Sequence, residues 1–437
     1  MKTIRLGLLG LGTVGSGVLE ILARQGEELT RRTGARFEVA RYCSRSPEKW
    51  AALGLDPSKG TTDPMALVND PKIDVLVELA GGIDLPKKVI LAALDEGKDV
   101  VTANKALLSE CADEIFAAVS EANARLGFEA SVCGGIPIIR LLQNGLASER
   151  IKRLTGIVNG TCNYILTVMT DAPRPFDEVL AEAQALGYAE ADPTLDIDGS
   201  DSAHKLSLLA MLAWGVRLKY SDIHTHGITE ITATDIAAAG ELKMIVKLLA
   251  VAERHDDGRL GLYVGPHLLP EDSVLGQVSD ATNAVMVDGA NIGQLVITGA
   301  GAGKLPTANS VVADLIAVAR QRVQEADPFN APAGFPEDAR AAANVVPFEE
   351  QIASFYLRIS AIDKPGVLAD VARILADHKI SIASMIQHGR DEGESVSVII
   401  LTHEASRGAL KDAVARIDDL ETTTDRTVVM TVMEDAS

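Results

Sequence analysis

Gly10-Leu11-Gly12-Thr13-Val14-Gly15 is the stretch that decides the fold. An apolar run at residues 4–9 precedes it. A helix expected at 14–23, with Val14, Val18, Ile21 and Leu22 on one face, follows it. GxGxxG alone is a weak sign. Between a strand and a helix it specifies a dinucleotide-binding turn. Gly10 permits the tight turn, Gly12 lets the backbone approach a pyrophosphate, and Gly15 lets the helix pack close to the strand. The free N–H groups of the helix start then face the pyrophosphate. The other reading is a glycine-rich turn with no ligand. The end of the second strand selects the dinucleotide. An NAD site usually carries an acid there for the ribose 2′-hydroxyl. Here the sequence is Cys43-Ser44-Arg45-Ser46, with no acid. Arg45 suits a 2′-phosphate and favours NADP(H), with NAD(H) or a merely solvated Arg45 as the alternatives.

Working outward, strands expected at 37–43, 75–79 and 99–102 alternate with a helix at 86–96. This is the pattern of a parallel sheet with helices on both faces. From about Gly145 the texture changes. Strands are expected at 150–158, 260–266 and 284–287, and helices at 163–169, 176–186, 202–214 and 236–252, an α+β arrangement. Residues 325–350 hold Pro328, Pro332, Pro336 and Pro347 and suggest a linker. The last segment follows a βαββαβ order, with strands at 355–361, 395–401 and 427–433 and helices at 367–378 and 409–417. The expected division is 1–140 for the dinucleotide domain, completed by 304–325, then 141–303, a linker at 326–350 and a module at 351–437.

The chain has 437 residues, room for about three domains at roughly 150 residues each. Its formal net charge of −20 argues against binding nucleic acid or anionic lipid. Four cysteines without a CxxC pair fit a reducing cytoplasm better than a disulfide scaffold. The longest apolar run, 206–216, is about half a membrane span and suggests a buried helix. Met1-Lys2-Thr3-Ile4-Arg5 and the apolar run behind it mimic a signal peptide, but Gly7, Gly10, Gly12, Gly15 and Gly17 break that run.

Other clusters could carry chemistry. Gly299-Ala300-Gly301-Ala302-Gly303-Lys304 superficially matches a P-loop, but Leu305 stands where Ser or Thr must hold magnesium. A glycine loop before a helix starting near Thr307 can still let a ligand approach. Lys105 follows the fourth strand, at the sheet edge where ligands bind. Residues 187–206 are dense in acids, and Asp201 and Lys205 are four apart, so they share a helical face. That pair could be a plain surface ion pair. The apolar run after it instead puts Lys205 at the edge of buried structure, where a lysine gives up its proton more readily. His224 and His226 lack nearby metal-binding partners. Cys133 and Cys162 lack an obvious base.

Together GLLGLGTVG, VTANKALL at 101–108, EASVCGGIPII at 129–139, GIVNGTCNYIL at 156–166, GYAEADPTLDIDGSDSAHKL at 187–206 and GAGAGKLPTANSVVADL at 299–315 resemble homoserine dehydrogenase. SFYLRISAIDKPGVLADVARIL at 354–375 resembles an ACT domain, a small amino-acid-binding module. The resemblance implies a Rossmann-type NADP-binding domain, an α+β catalytic and dimerisation domain at 141–303, and a C-terminal ACT domain. It implies NADPH-dependent reduction of L-aspartate 4-semialdehyde to L-homoserine, in threonine, methionine and isoleucine biosynthesis. Lys205 would be the acid, with Lys105 beside it near cofactor and substrate. Glu190 and Asp201, with Asp196 near them, would receive the substrate. Thr13 and Val14 would sit at the pyrophosphate turn, and Gly187 and Gly303 would line the cofactor. A monovalent cation, Na+ or K+, would be held by Glu129 and the carbonyls of Val132, Gly134 and Ile136. Cys133 and Cys162 depart from the family's usual small residue and Thr, and Cys133 would make the cation loop sensitive to oxidation. L-Threonine would act at the turn Asp363-Lys364-Pro365-Gly366-Val367-Leu368, in a homo-oligomer, dimer or tetramer. The alternatives are another NADP-dependent amino-acid dehydrogenase and a catalytically silent amino-acid sensor.

Overall fold

The computed structural model describes residues 1–328, 331–387 and 394–433. It divides into two compact units, each assembled from three stretches of chain. Unit 1 holds Met1–Ile151, His204–Tyr220 and Ile297–Ala343. Unit 2 holds Lys152–Ala203, Ser221–Val296 and Asn344–Ser437.

Unit 1 is built on six strands: β1 (Lys2–Leu9), β2 (Ala35–Cys43), β3 (Gly60–Thr61), β4 (Val75–Glu78), β5 (Asp99–Thr102) and β6 (Leu126–Gly127). They lie in the order β3-β2-β1-β4-β5-β6, with every pair parallel. The order reverses at β1, which makes the edge beyond β1 and β4 the topological switch point. β4 and β5 are buried throughout, as strands covered on both faces must be. The helix Thr13–Thr33 runs a full turn or more beyond the expected 14–23 and ends at left-handed Gly34. The late helix Lys304–Gln324 joins the same core: Ala308, Val311 and Leu315 are buried with Leu6, Val18, Ile21 and Val77. The two helices cross closely at Gly17, where a Cβ would stand 2.6 Å from the Lys304 carbonyl oxygen.

The stretch expected as a linker is packed in its described part. Ala341–Ala342 forms a parallel pair with Val216–Arg217, and the buried Arg340 binds Asp113 at 2.8 Å. Arg340 and the short strand anchor residues 340–342 within unit 1.

Unit 2 is organised by a mixed sheet. Its strands are β7 (Ile151–Ile157), β8 (Met244–Arg254), β9 (Leu260–Pro270), β10 (Thr282–Gly289), β11 (Gly293–Ala300), β12 (Ile352–Ile362), β13 (Ile382–Gln387), β14 (Ser395–Thr402) and β15 (Val428–Val432). The order is β11-β10-β7-β8-β9-β15-β12-β14-β13. One expectation fails here. Residues 236–252 are not one helix: a helix covers Ala233–Glu241, Lys243 takes a left-handed φ of 56°, and β8 begins at Met244. β8 is central and largely buried, so apart from the buried Lys247 its residues 244–252 are apolar without the alternation that marks a half-buried strand.

The C-terminal segment has the expected βαββαβ order, with helices Val367–Asp377 and Arg407–Asp418 over β12, β15, β14 and β13. Phe355, Leu357, Val371, Leu375, Ile400, Leu410 and Ile417 form its core. Its sheet is continuous with the preceding one, because β15 pairs with β9. Asp235 adds a second tie: one oxygen caps its own helix at Thr232, and the other accepts from Arg358 at 2.7 Å and Tyr356 at 3.1 Å.

Candidate functional site

The glycine turn shows which of its glycines the protein itself requires. Gly10 has φ of 102°, and a Cβ there would lie 2.6 Å from the Leu79 carbonyl oxygen. A Cβ on Gly15 would lie 2.2 Å from the Gly10 carbonyl oxygen. A Cβ on Gly12 would meet nothing within 4 Å. Gly10 and Gly15 are thus explained by packing, while Gly12 opens onto space that a phosphate can occupy. Gly12 is also the N-cap of Thr13–Thr33 and supplies no side-chain cap, so the first N–H groups are left for an anion. The Gly10 N–H donates to the Cys43 carbonyl at 3.0 Å. This bond stitches the end of β2, and the exposed Arg45 two residues on, to the turn.

Glu78 ends β4 at the same edge and is fully buried. Its carboxylate accepts from the N–H groups of Ala80 and Gly81 and from the Thr102 hydroxyl at 2.7 Å. Burial pushes its pKa up against these bonds. Asn104 binds the Gly82 carbonyl and caps Lys105–Glu121 through the Leu107 N–H. Lys105 is therefore the first residue of a capped helix at the end of β5. Sequence reasoning passed over Glu78, although an acid closing an apolar strand before Gly81-Gly82 was a visible signal.

The acidic block divides in two. In unit 2 the Asn159 amide donates to Asp196 at 2.8 Å and to Asp201 at 2.9 Å, while its oxygen caps Gly160–Asp171 at the Cys162 N–H. Thr161 binds Asp196 and the Tyr188 carbonyl. Asn159 is thus the hub of this region. Its motif, 156–166, carries no local sign of this role, because both acids it holds lie more than thirty residues on. Glu190 stands outside this network, exposed on the loop after Gly187, and its carbonyl accepts from Gln184. Asp201 and Lys205 are both buried and stand one turn apart on the helix Ser200–Trp214.

The helix after the late glycine loop starts at Lys304, earlier than Thr307, with Gly303 as its N-cap at φ of 125°. Lys304 binds Glu20 at 2.8 Å, so this lysine serves the helix crossing and not a P-loop. In the loop with Glu129, the carboxylate accepts from the N–H groups of Ile139 and Arg140. The Gly134 carbonyl accepts from Ser310 at 2.6 Å, and the Ile136 carbonyl accepts from the Ile138 N–H. A carbonyl oxygen has a second lone pair, so this oxygen-rich loop fits a hard cation and not a soft one. Among the described residues no three His, Cys, Asp or Glu side chains gather as a metal group. Asp314 accepts the Glu129 N–H and pairs with Arg140. Burial, reinforced by Glu129, pushes its pKa up to about 7. Cys133 is buried, which corrects the expected oxidation sensitivity, since thiol reactivity follows exposure. Cys162 is buried too, with its sulfur on the Asp196 carbonyl. His224 stacks on Phe348, and His226 lies near Glu230.

Comparison with known proteins adds three findings. Residues 10–129 match the profile of the homoserine dehydrogenase NAD-binding domain, 137–316 that of homoserine dehydrogenase, and 355–422 that of the ACT domain. The homoserine dehydrogenase of Pseudomonas aeruginosa is 43% identical over 422 residues, 96% of each chain, and that of Bacillus subtilis 37% identical over 426. A crystal structure of a homoserine dehydrogenase from Thiobacillus denitrificans superposes with TM-score 0.92 at 43% identity over 99% of both chains. A hyperthermophilic archaeal homoserine dehydrogenase in complex with NADPH matches 72% of this chain and 97% of its own, with TM-score 0.62 and 29% identity.

Proposed function

From the premise that this chain belongs to the homoserine dehydrogenase family, NAD(P)-dependent oxidoreductases, we propose that it reduces L-aspartate 4-semialdehyde to L-homoserine with NADPH, reversibly, in threonine, methionine and isoleucine biosynthesis. The observation that carries this reading is Asp201, buried on the helix that also carries Lys205 and held together with Asp196 by the Asn159 amide. Lys205, buried on that helix, is the acid and base for the proton that accompanies the hydride.

A bound nicotinamide cofactor would supply the hydride that the carbonyl carbon takes up. Lys205 gives the proton at the carbonyl oxygen, so alkoxide never accumulates. In the reverse direction it takes the proton from the homoserine hydroxyl. Lys105 serves substrate and cofactor from its capped helix. Asp196, Asp201 and Glu190 receive the substrate, with Asp201 and Glu190 on its ammonium. Gly10, Gly12, Thr13, Val14 and Gly15 form the pyrophosphate turn, Arg45 takes the 2′-phosphate, and Gly187 and Gly303 line the cofactor. Open space at Gly12 and the absence of an acid after β2 support NADP(H). Glu129 and the carbonyls of Val132, Gly134 and Ile136 hold Na+ or K+.

L-Threonine regulates the enzyme at the Asp363–Leu368 turn. Gly366 there caps Val367–Asp377 at φ of 102°, and a Cβ on it would meet nothing within 4 Å. The enzyme works as a homo-oligomer in the cytoplasm. No described helix is long and apolar enough to cross a membrane. Purified protein mixed with NADPH and L-aspartate 4-semialdehyde should consume NADPH absorbance. No turnover would overturn the reading.

A further inference from the structure

The C-terminal sheet meets its neighbour where His267 of β9 aligns with Thr431 of β15. A cavity of about 340 Å³ opens beside this seam, within the range of small-molecule clefts. Arg153 of β7, Tyr263 and His267 of β9, Thr431 and Arg407 line it.

Arg407 is only 8% exposed. It donates to the Thr431 hydroxyl at 3.1 Å, and its guanidinium carbon lies 3.9 Å from the Tyr263 ring centroid. Among the described residues no carboxylate pairs with it, and its Nε has no hydrogen-bond partner. The Nε of Arg153 is likewise buried without a partner, and its Nη2 faces the Met433 sulfur at 3.4 Å. A buried guanidinium lacking a counter-charge is costly to maintain. Nothing in the proposed reaction uses either arginine. His267 adds no charge, because burial drives its pKa down to about 3. The exposed acids Glu253 and Glu404 line the same cavity and oppose a simple anion. Two arginines and two acids around one small cavity complement a zwitterion.

We infer that the cavity is a second ligand site, separate from the Gly366 turn, for a compact α-amino acid whose carboxylate is taken by Arg407 and Arg153 and whose ammonium is taken by Glu253 and Glu404. The site touches β7, β9 and β15, so its occupant would bridge the catalytic and C-terminal sheets.

The test is direct binding to the full chain, which does not depend on turnover. Each of the standard L-amino acids is screened for a rise in melting temperature. Each amino acid that raises it is then titrated calorimetrically into the parent protein and into Arg407→Gln and Arg153→Gln. For at least one of them affinity should fall at least about tenfold in both arginine variants, as expected for a lost charge-assisted bond. The N-acetyl form of the same amino acid, which lacks the ammonium, should bind more weakly. Should Arg407→Gln fail to fold, Arg153→Gln, at a half-buried position, decides the matter. No melting shift with any amino acid, or parent-like binding of every one of them by Arg153→Gln, would overturn the inference.

Discussion

Replacing Gly12 and Gly15 separately by alanine should split ligand binding from folding. At Gly15 the new Cβ would sit 2.2 Å from the Gly10 carbonyl oxygen, far inside contact distance and against rigid backbone. The helix must shift away from β1, and overpacking of this kind costs about 1–3 kcal/mol. For a unit of this size that lowers the melting temperature by roughly 2–12 °C. At Gly12, φ is −77° and the Cβ meets nothing, so the fold loses at most about 1 kcal/mol through a poorer N-cap residue. The methyl would instead occupy the space left for the pyrophosphate. Losing one charge-assisted hydrogen bond there, about 1.5–3 kcal/mol, weakens NADPH roughly 10- to 150-fold. The assay pairs melting curves of the ligand-free proteins with NADPH fluorescence titrations. If Gly12→Ala melts as low as Gly15→Ala and binds NADPH like the parent, the glycine assignment is refuted.

Three further outcomes are expected. Arg45→Ala should weaken NADPH by about tenfold or more and leave NADH nearly unchanged in parallel titrations, the signature of a lost 2′-phosphate contact. Asp235→Ala strands the buried Arg358 guanidinium and the Tyr356 hydroxyl, and should cost about 3–5 kcal/mol in urea unfolding. Asp314, raised from 3.8 to about 7 in the fold, makes the native state bind more protons than the unfolded chain. Its contribution to stability is therefore greatest below pH 3.8 and is lost as pH rises toward 7, so Asp314→Asn should flatten that decline in melting temperature measured across the window.

Local signals were legible where physics is local. The glycine turn, the end of β5 at Thr102 and the Asp201–Lys205 spacing could be read because turn sterics and helical repeat act over a few residues. β8 escapes the pattern because, apart from the buried Lys247, a strand covered on both faces is as apolar as a buried helix. The strap at 341–342 was misread because its anchor is Arg340 bonded to Asp113, a contact across 227 residues that composition cannot show. Glu78 and Asn159 were missed for a related reason. Each matters through partners from elsewhere in the chain: Thr102 for Glu78, Asp196 and Asp201 for Asn159. The continuous sheet through β9 and β15 is likewise a long-range pairing, of His267 with Thr431 and Leu268 with Val432, that no local pattern encodes.

The central claim is that Lys205 moves the proton. The kcat of Lys205→Ala with NADPH and L-aspartate 4-semialdehyde, set beside the NADPH Kd of the same variant, tests it most directly. Loss of a positioned general acid predicts a fall in kcat of about 10²–10⁴-fold with Kd essentially unchanged. A kcat close to that of the parent protein, with Kd also unchanged, would contradict the account.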